Sequence, residues 1–310
     1  MKRILSWDRY RGFAILLMAV VNDLATANGI PAFLKHAPGI GYTLADVVAP
    51  MFIFAMGLTF MASFQKRYAN NKVDAYVSMI KRNLAFIGLG AIFSGVGVYF
   101  VQGADWGVLQ ALGVSGLMSL AVIRLKPVWR TLIAMAILAI YQCSITYWLS
   151  EQVLTHLHGG ILGAISWGAM LILATVLLEM YSQKKLTMAY AVLLLALGGL
   201  ALSPIAPISK HLVSASYILV SLALCGAIFG AVDAIGRWFH LEERRDFLCD
   251  WGENPLVLYL AHYALIGLFH IPNLWFEPPA WLSLIRTLVM LILLNYLAKF
   301  LHRKKVHFSF

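Results

Sequence analysis

The chain has 310 residues, of which 61% are hydrophobic and only 12% are charged, whereas a soluble domain carries about 25% charged residues. Its net charge of +10 does not indicate nucleic-acid binding, because Lys and Arg cluster in short segments between long apolar runs, as in membrane proteins. Runs of about 20 apolar residues span a bilayer as helices, so the composition predicts an all-α, polytopic integral membrane protein. The alternating pattern of a membrane β-barrel is absent from the sequence.

The apolar runs predict ten transmembrane helices within one domain covering residues 1–310. The basic residues predict their orientation. Among the 24 Lys and Arg residues, only Lys35, Lys210 and Arg286 fall outside one set of alternate loops, so both termini are predicted to be cytoplasmic. The predicted spans are 11–28, 44–65, 82–101, 108–124, 129–149, 159–180, 187–203, 212–234, 253–270 and 281–301.

The N-terminus resembles a cleavable signal peptide, since Lys2 and Arg3 precede an apolar run that ends near small residues. Asp8 and Arg11 lie directly against that run, and Asn22 and Asp23 interrupt it before the small residues. We therefore expect the first helix to be retained.

Polar side chains concentrate in the first forty-six residues, around the first predicted helix and the loop that follows it. Ionisable groups at membrane level are costly and indicate function. A neutral histidine is a natural general base, a carboxylate can fix its tautomer, and an asparagine amide can donate to a developing oxyanion. Six such groups lie in this stretch: Asp8, Arg11, Asn22, Asp23, His36 and Asp46. Because the loop is short, Asn22, Asp23, His36 and Asp46 are predicted to converge, and a base, an orienting acid and an amide donor are the parts needed for acyl transfer.

The other polar candidates each have a structural alternative. Asp8 and Arg11 are three residues apart, so they share a helix face and either anchor the helix or contact an anionic cofactor. Gln110 makes either a helix–helix contact or a ligand contact. Asn254 and His262 lie two turns apart near one face of the ninth predicted helix, and a histidine within a membrane helix indicates function.

The loop after the eighth predicted helix and the cysteines support further predictions. The loop RWFHLEERRDFLCDWGENP, which follows the eighth predicted helix, is amphipathic and is expected to lie along the cytoplasmic surface. The scattered cysteines, Cys143, Cys225 and Cys249, have no metal-ligand spacing and predict no disulfide framework. The sequence lacks phosphate-loop, H-E-x-x-H and G-x-S-x-G motifs. No metal is expected.

The segments SWDRYRGFAILLMAVVN and KHAPGIGYTLADVVAPMFIFAMGLTF resemble the opening of the heparan-alpha-glucosaminide N-acetyltransferase family. Further segments resemble the family in the same order as far as the C-terminal YLAKFLHRKK. The resemblance implies a membrane enzyme that transfers acetyl from cytosolic acetyl-CoA to an amine on the far side of the membrane. It also implies that His36, Asn22 and Asp46 are the catalytic residues. The chain departs from the family at Ala49 and Ala55, where family members carry bulkier residues.

We extend these implications to the remaining candidates. The residues expected to contact acetyl-CoA are Asp8, Arg11, Gln110, Asn254 and His262. Those expected to contact an amino-sugar or glycan acceptor are Asp23, Lys210 and Ser216. The expected location is a bacterial inner membrane, and the aromatic and small residues suit either monomer packing or a homodimer seam.

Several alternatives remain at this point. His36 is either a general base or a nucleophile that is transiently acetylated. The chain as a whole could instead be a transporter of a small polar or sugar-like solute, because buried polar groups and broken helices also suit a carrier. A third hypothesis is a non-catalytic assembly partner, for which replacing His36 has no effect.

Overall fold

A computed structural model describes residues 4–25, 27–96, 105–270 and 279–306. Within these ranges the regular structure is entirely helical, which confirms the all-α prediction. The α-helices are α1 (Leu5–Leu24), α2 (Val48–Asn70), α3 (Lys72–Gly95), α4 (Val108–Val122), α5 (Pro127–Ser144), α6 (Ser150–Leu154), α7 (Gly160–Gln183), α8 (Lys185–Leu202), α9 (Ala215–Trp238), α10 (Phe247–Glu253), α11 (Pro255–His270) and α12 (Ala280–Arg303). Short 3₁₀ turns cover Ala32–Leu34, Leu44–Val47 and Leu157–Gly159, and a π-helical turn covers Ile145–Leu149.

Among the described residues, seven helical segments are long and apolar enough to cross a membrane. Two shorter apolar helices, Val108–Val122 and Pro255–Phe269, are also present. Together with α1, these segments account for a helix at each of the ten predicted spans. The seven segments are Leu44–Asn70, Lys72–Gly95, Pro127–Leu154, Leu157–Gln183, Lys185–Leu202, Ala215–Trp238 and Ala280–Arg303.

The observed helices extend beyond the predicted spans at charged ends. The first begins at Leu5 rather than residue 11, and the third begins at Lys72 rather than residue 82. At the start of the third helix, the Asn71 side chain accepts hydrogen bonds from the backbone N–H groups of Val73 and Asp74. For the third helix this cap explains the earlier start, because an apolar run marks only the part of a helix that suits hydrocarbon, whereas the cap determines where the helix begins.

The chain divides into two compact units, and each is discontinuous in sequence. The first unit consists of Met1–Ala37, Thr43–Met51 and Ile228–Phe310, and the second consists of Pro38–Tyr42 and Phe52–Ala227. The single domain over residues 1–310 stays a prediction.

In the first unit, α1 packs closely against the short helix α10. A Cβ on Gly12 would lie 2.0 Å from the Leu248 carbonyl oxygen, and one on Gly252 would lie 1.8 Å from the Asp8 carbonyl oxygen. Cys249 and Trp251 are buried on the same helix. Residues 247–253 therefore form a helix with one face packed against α1, while Phe247 at its start is 49% exposed. The expected position of this loop along the cytoplasmic surface stays a prediction.

In the second unit, close packing again depends on glycine. A Cβ on Gly116 of α4 would lie 2.1 Å from the side-chain oxygen of Asn83 on α3. Between α5 and α7, the buried Arg130 guanidinium donates to Thr175 Oγ1 at 2.9 Å and pairs with Glu179. At the entry to α7, residues 158–160 all have positive φ, so the chain turns tightly into this helix.

Candidate active site

His36 and Asp46 form a hydrogen-bonded pair in the first unit. His36 lies in the loop after α1, and Asp46 lies in the 3₁₀ turn Leu44–Val47 that leads into α2. His36 Nδ1 is 2.8 Å from Asp46 Oδ1. The Asp46 side chain is 0% exposed, whereas the His36 side chain is 36% exposed. The predicted convergence of a histidine and a carboxylate is thus present, with the histidine on the accessible side.

The second carboxylate oxygen of Asp46 is held by the surrounding loop. Asp46 Oδ2 accepts from the backbone N–H of Ala37 at 3.2 Å and from that of Thr43 at 3.0 Å. The Thr43 hydroxyl also lies 3.0 Å from Asp46 Oδ2 and 2.7 Å from the Lys35 carbonyl oxygen. These neutral donors fix the carboxylate without neutralising its charge, so it can orient the imidazole.

This arrangement selects one tautomer of neutral His36. An ionised carboxylate only accepts hydrogen bonds, so Nδ1 must carry the proton that is shared with Asp46. The lone pair of the neutral ring then lies on Nε2, on the edge opposite Asp46. A half-exposed imidazole with a lone pair at Nε2 and a buried carboxylate behind it has the geometry of a general base or a nucleophile.

Asn22, near the end of α1, contacts α11. Its amide nitrogen Nδ2 lies 3.2 Å from His262 Nε2 and 3.5 Å from the Tyr263 hydroxyl oxygen. His262 is fully buried, and its Nδ1 donates to the Tyr259 carbonyl oxygen at 2.8 Å. The structure therefore brings together Asn22 and His262, two predicted site residues that are 240 positions apart in the sequence.

These contacts change what Asn22 can offer a ligand. Both N–H groups of its amide face partners within the protein, although the contact to Tyr263 is at the outer limit of hydrogen-bond distance. The geometry consequently argues against the predicted donation from this amide to an oxyanion. It favours the carbonyl oxygen Oδ1 as the group through which Asn22 meets a ligand.

Asp23, expected to contact the acceptor, lies in a buried ion pair with α12. Arg286 Nε is 2.9 Å from Asp23 Oδ1, and the two side chains are 1% and 0% exposed. Arg286 Nη2 donates to the Asp23 carbonyl oxygen at 2.6 Å, and the Thr287 hydroxyl donates to Asp23 Oδ2 at 2.6 Å. Because its carboxylate is enclosed by these partners, Asp23 is placed to join helices rather than to receive a substrate.

The N-terminal half of α1 carries two more ion pairs. Asp8 and Arg11 pair with each other as their spacing predicted, and Asp8 is fully buried. Arg9, which the sequence reasoning missed, is buried with Nε 2.5 Å from Asp246 Oδ2. Its Nη2 also donates to the carbonyl oxygens of Leu241 and Arg244. Burial alone would raise the pKa of Asp246, but hydrogen bonds from Arg9 and the Cys249 backbone, with the Arg9 charge, lower that pKa below its ordinary value.

The remaining predicted contacts are occupied by the protein itself. The Asn254 amide donates to the Val306 carbonyl oxygen at 2.9 Å, at the break between α10 and α11. In the second unit, Gln110 Oε1 accepts from the Gly107 N–H at 2.8 Å, and its Nε2 donates to Ser94 and to the Asp105 carbonyl. The Ser216 hydroxyl donates to the Ala206 carbonyl oxygen at 2.5 Å. Lys210 lies in the turn before α9, where its carbonyl accepts from the Val213 N–H.

One cluster has the composition of a metal site. Ligand atoms of Asp250, Glu253 and His302 lie within 4.8 Å of one another. However, Arg245 Nη2 is 3.1 Å from Asp250 Oδ1 and 2.8 Å from Glu253 Oε2, so a cation already occupies the space between the carboxylates. The three cysteines are free, in agreement with the expectation of no disulfide framework.

Arg286, Arg9 and Tyr263 are the polar partners that sequence reasoning did not assign. Arg286 carried a usable signal, because it is one of three basic residues outside the positive-inside pattern. A basic residue within an apolar helix indicates a buried carboxylate partner. Arg9 and Tyr263 carried no comparable signal, since neither stands out from its neighbours in the sequence.

The chain matches known proteins over the part that contains His36 and Asp46. The family model for the catalytic region of heparan-alpha-glucosaminide N-acetyltransferase matches residues 3–159. The mouse protein of that name is 31% identical over 116 residues, which cover 35% of this chain and 17% of the mouse protein. The human protein is 33% identical over 121 residues, which cover 36% of this chain and 18% of the human protein.

The matched segment thus spans less than a fifth of either curated relative. The region matched by the family model includes Asn22, His36 and Asp46 and ends well before α11. Because the family model covers just over half of the 310 residues, the chain belongs to the heparan-alpha-glucosaminide N-acetyltransferase catalytic-domain family.

Proposed function

We propose that this chain is a transmembrane acetyltransferase that moves an acetyl group from cytosolic acetyl-CoA to the amine of an amino-sugar or glycan acceptor on the opposite side of the membrane. The observation that carries the proposal is the His36–Asp46 pair, 2.8 Å apart and accessible only on the histidine side. Family membership supports the reaction class, because the curated relatives are named as N-acetyltransferases of a glucosaminide.

The proposed topology has ten membrane-spanning helices with both termini in the cytoplasm. The seven long apolar helices, the two shorter ones and α1 supply these spans. With this topology the loop that carries His36 faces away from the cytoplasm. Acetyl-CoA is anionic and does not cross hydrocarbon unaided, so its pantetheine arm would carry the thioester inward from the cytoplasmic side. The proposed location is a bacterial inner membrane.

In the proposed reaction, Nε2 of His36 removes a proton from the acceptor amine as the amine nitrogen attacks the thioester carbon. A C–N bond forms, the C–S bond breaks, and the CoA thiolate leaves and is protonated. Asp46 holds the Nδ1 proton and stabilises the imidazolium that forms. A second version forms acetyl-imidazole at Nε2 first, with loss of CoA, before the amine attacks that acetyl group.

The other candidates are proposed in the roles expected from the sequence, and their contacts support these roles to different degrees. Arg11 is part exposed beside the buried Asp8, which suits contact with the phosphates of CoA. Gln110, Asn254 and His262 as acetyl-CoA contacts are proposals, as are Asp23, Lys210 and Ser216 as acceptor contacts. The intramolecular hydrogen bonds of Gln110, Asn254, Ser216 and Asp23 favour structural roles for these four residues. A homodimer also stays a hypothesis.

The test is release of CoA from acetyl-CoA by the purified protein in the presence of a panel of amino sugars. We expect acceptor-dependent release, and a loss of about 10²–10⁴-fold in kcat for His36→Ala, the range for removal of a general base. Gel filtration and thermal unfolding show whether the variant is folded.

Other results distinguish the alternatives. Unchanged release by a folded His36→Ala variant would overturn the proposed site. Failure to bind acetyl-CoA, combined with movement of a solute across vesicles, would indicate the transporter instead. A trapped acetyl-histidine with ping-pong kinetics would select the second version of the chemistry, and a required ternary complex would exclude it.

A further inference from the structure

His262 is a buried histidine that has no chemical step in the proposed reaction. It lies on α11 at 0% exposure, with Tyr259 and Tyr263 beside its ring at centroid distances of 6.0 and 4.2 Å. Its two ring nitrogens have different partners, a backbone carbonyl on Nδ1 and the Asn22 amide on Nε2. A buried ring fixed at both nitrogens has one defined hydrogen-bonding pattern.

That pattern can be deduced from the partners. The Tyr259 carbonyl oxygen can only accept, so His262 Nδ1 must carry the proton of the neutral ring. Nε2 is then an acceptor, and only a donor can lie 3.2 Å from it. The group that Asn22 presents to His262 must therefore be its NH₂ rather than its carbonyl oxygen. The backbone of α11 thus determines the orientation of a side chain on α1.

We propose that His262 is a positioning residue that locks the Asn22 amide so that its carbonyl oxygen, and not its N–H, faces the acceptor amine. This inference rests on the proposed acetyl transfer. In the reaction, Asn22 Oδ1 accepts an N–H of the attacking amine. The amine nitrogen becomes positively charged as it bonds to the thioester carbon, and a carbonyl dipole aimed at that N–H stabilises the charge where it develops.

The opposite orientation would have a different consequence. If the amide were reversed, its N–H groups would face the reacting thioester as oxyanion donors, and its carbonyl oxygen would lie against the Nε2 lone pair. Two acceptors 3.2 Å apart in a buried site repel each other, and the loss is at least that of a hydrogen bond. His262 therefore decides between the two chemical roles that an asparagine can have at this position.

The first test compares His262→Leu with His262→Gln. Glutamine can place a carbonyl oxygen near the position of Nε2 and restore the acceptor for Asn22, whereas leucine cannot. We expect His262→Leu to lower kcat by about 10²-fold, as loss of orientation does, with little change in KM for acetyl-CoA. His262→Gln should recover at least tenfold of that loss. Tyr263→Phe is the matched control, because it removes the 3.5 Å contact to Asn22 and leaves the contact between Asn22 and His262 in place, and it should change kcat by less than about threefold.

The second test is a double-mutant cycle with Asn22→Ala. If His262 acts through Asn22, the variant His262→Leu/Asn22→Ala should be no slower than Asn22→Ala alone. Losses that multiply would show that His262 acts independently and would overturn the inference, as would wild-type kcat for folded His262→Leu. If His262→Leu does not fold, the protonation state of the His262 ring still decides.

The third test needs no activity. The chain has nine histidines, and the His262 signals in ¹⁵N-histidine-labelled protein in lipid bilayers can be assigned by their loss in His262→Gln. We expect the neutral ring protonated at Nδ1 near neutral pH. A ring protonated at Nε2 would overturn the inference whether or not CoA release is seen. Conversely, an inactive wild-type protein with the expected ring form would count against the proposed function alone and leave the orientation of Asn22 standing.

Discussion

Asp46 and Asp23 are both shielded from solvent in the same compact unit, yet their carboxylates have different kinds of partner. Asp46 is held by backbone N–H groups and a hydroxyl, and its other oxygen faces a histidine that is 36% exposed. Asp23 faces the permanent cation Arg286, which is itself 1% exposed. The partner of Asp46 is titratable and accessible, whereas Asp23 and its partner are both enclosed.

This contrast shows that burial of a carboxylate does not by itself distinguish a reactive site from a structural link. The distinction lies in the partner. A guanidinium stays charged at all accessible pH values, so the Asp23 pair is closed to proton transfer. An imidazole has a second nitrogen that can exchange protons with a ligand, so the Asp46 pair can take part in chemistry.

The largest expected effect is on the enclosed pair. Arg286→Met leaves the Asp23 carboxylate buried without a cation, and we expect the free energy of unfolding to fall by about 3–5 kcal/mol. Asp23→Leu/Arg286→Met removes both charges and should recover most of that stability. Denaturant unfolding in mixed micelles measures both variants.

Activity of the double variant sharpens the comparison further. We expect it to retain CoA release, because Asp23 links helices in this interpretation. A double variant that is stable but inactive would instead support the predicted contact between Asp23 and the acceptor.

The next effect is on the reactive pair. In Asp46→Asn, the new amide must turn its oxygen to the N–H groups of Ala37 and Thr43 and its NH₂ to His36. His36 Nδ1 must then accept, the ring proton moves to Nε2, and the lone pair needed for catalysis is lost. We expect kcat to fall by roughly 10²–10⁴-fold, with acetyl-CoA binding retained, as measured by CoA release and equilibrium binding. An Asp46→Asn variant with wild-type kcat would refute the assigned tautomer.

Removing one hydroxyl beside each carboxylate compares the Asp46 and Asp23 sites by the same type of substitution. Thr43→Val removes a hydroxyl from Asp46, and Thr287→Val removes one from Asp23. Each should lower the free energy of unfolding by about 1 kcal/mol. Only Thr43→Val should also lower kcat, by a few-fold, because only Asp46 orients a catalytic group. Equal effects on kcat would remove the distinction between the sites.

The smallest effect concerns a third carboxylate, Asp246, which is partly exposed and bonded to Arg9. Its pKa is lowered in the folded protein. The ionised Asp246 carboxylate therefore contributes to the free energy of unfolding at pH values above the pKa of an unfolded aspartate. This contribution is lost as the pH falls through the lower pKa of the folded protein. Asp246→Asn should make the acid limb of the unfolding curve less steep. A wild-type acid limb in Asp246→Asn would show that this bond contributes nothing.

Local sequence relationships predicted much of the fold and part of the site. The apolar runs located a helix at each of the ten expected positions, because helix formation and burial in hydrocarbon depend on contiguous residues. Asp8 and Arg11 are three residues apart on a helix, so the spacing predicted a shared face, and in the structure the two side chains form an ion pair. His36 and Asp46 are only ten residues apart, so a short loop was enough to bring them together.

Only the tertiary structure decided which distant side chains meet. Asn22 with His262, Asp23 with Arg286 and Arg9 with Asp246 are pairs separated by more than 230 positions. Periodicity shows which face of a helix is apolar, but it does not identify the helix that packs against that face. For the same reason the sequence did not reveal that Cys249 and Trp251 are buried on the helix that packs against α1. The sequence by itself thus determined the class of protein and the His36–Asp46 pair, while packing between helices determined the orientation of Asn22 and the enclosure of Asp23.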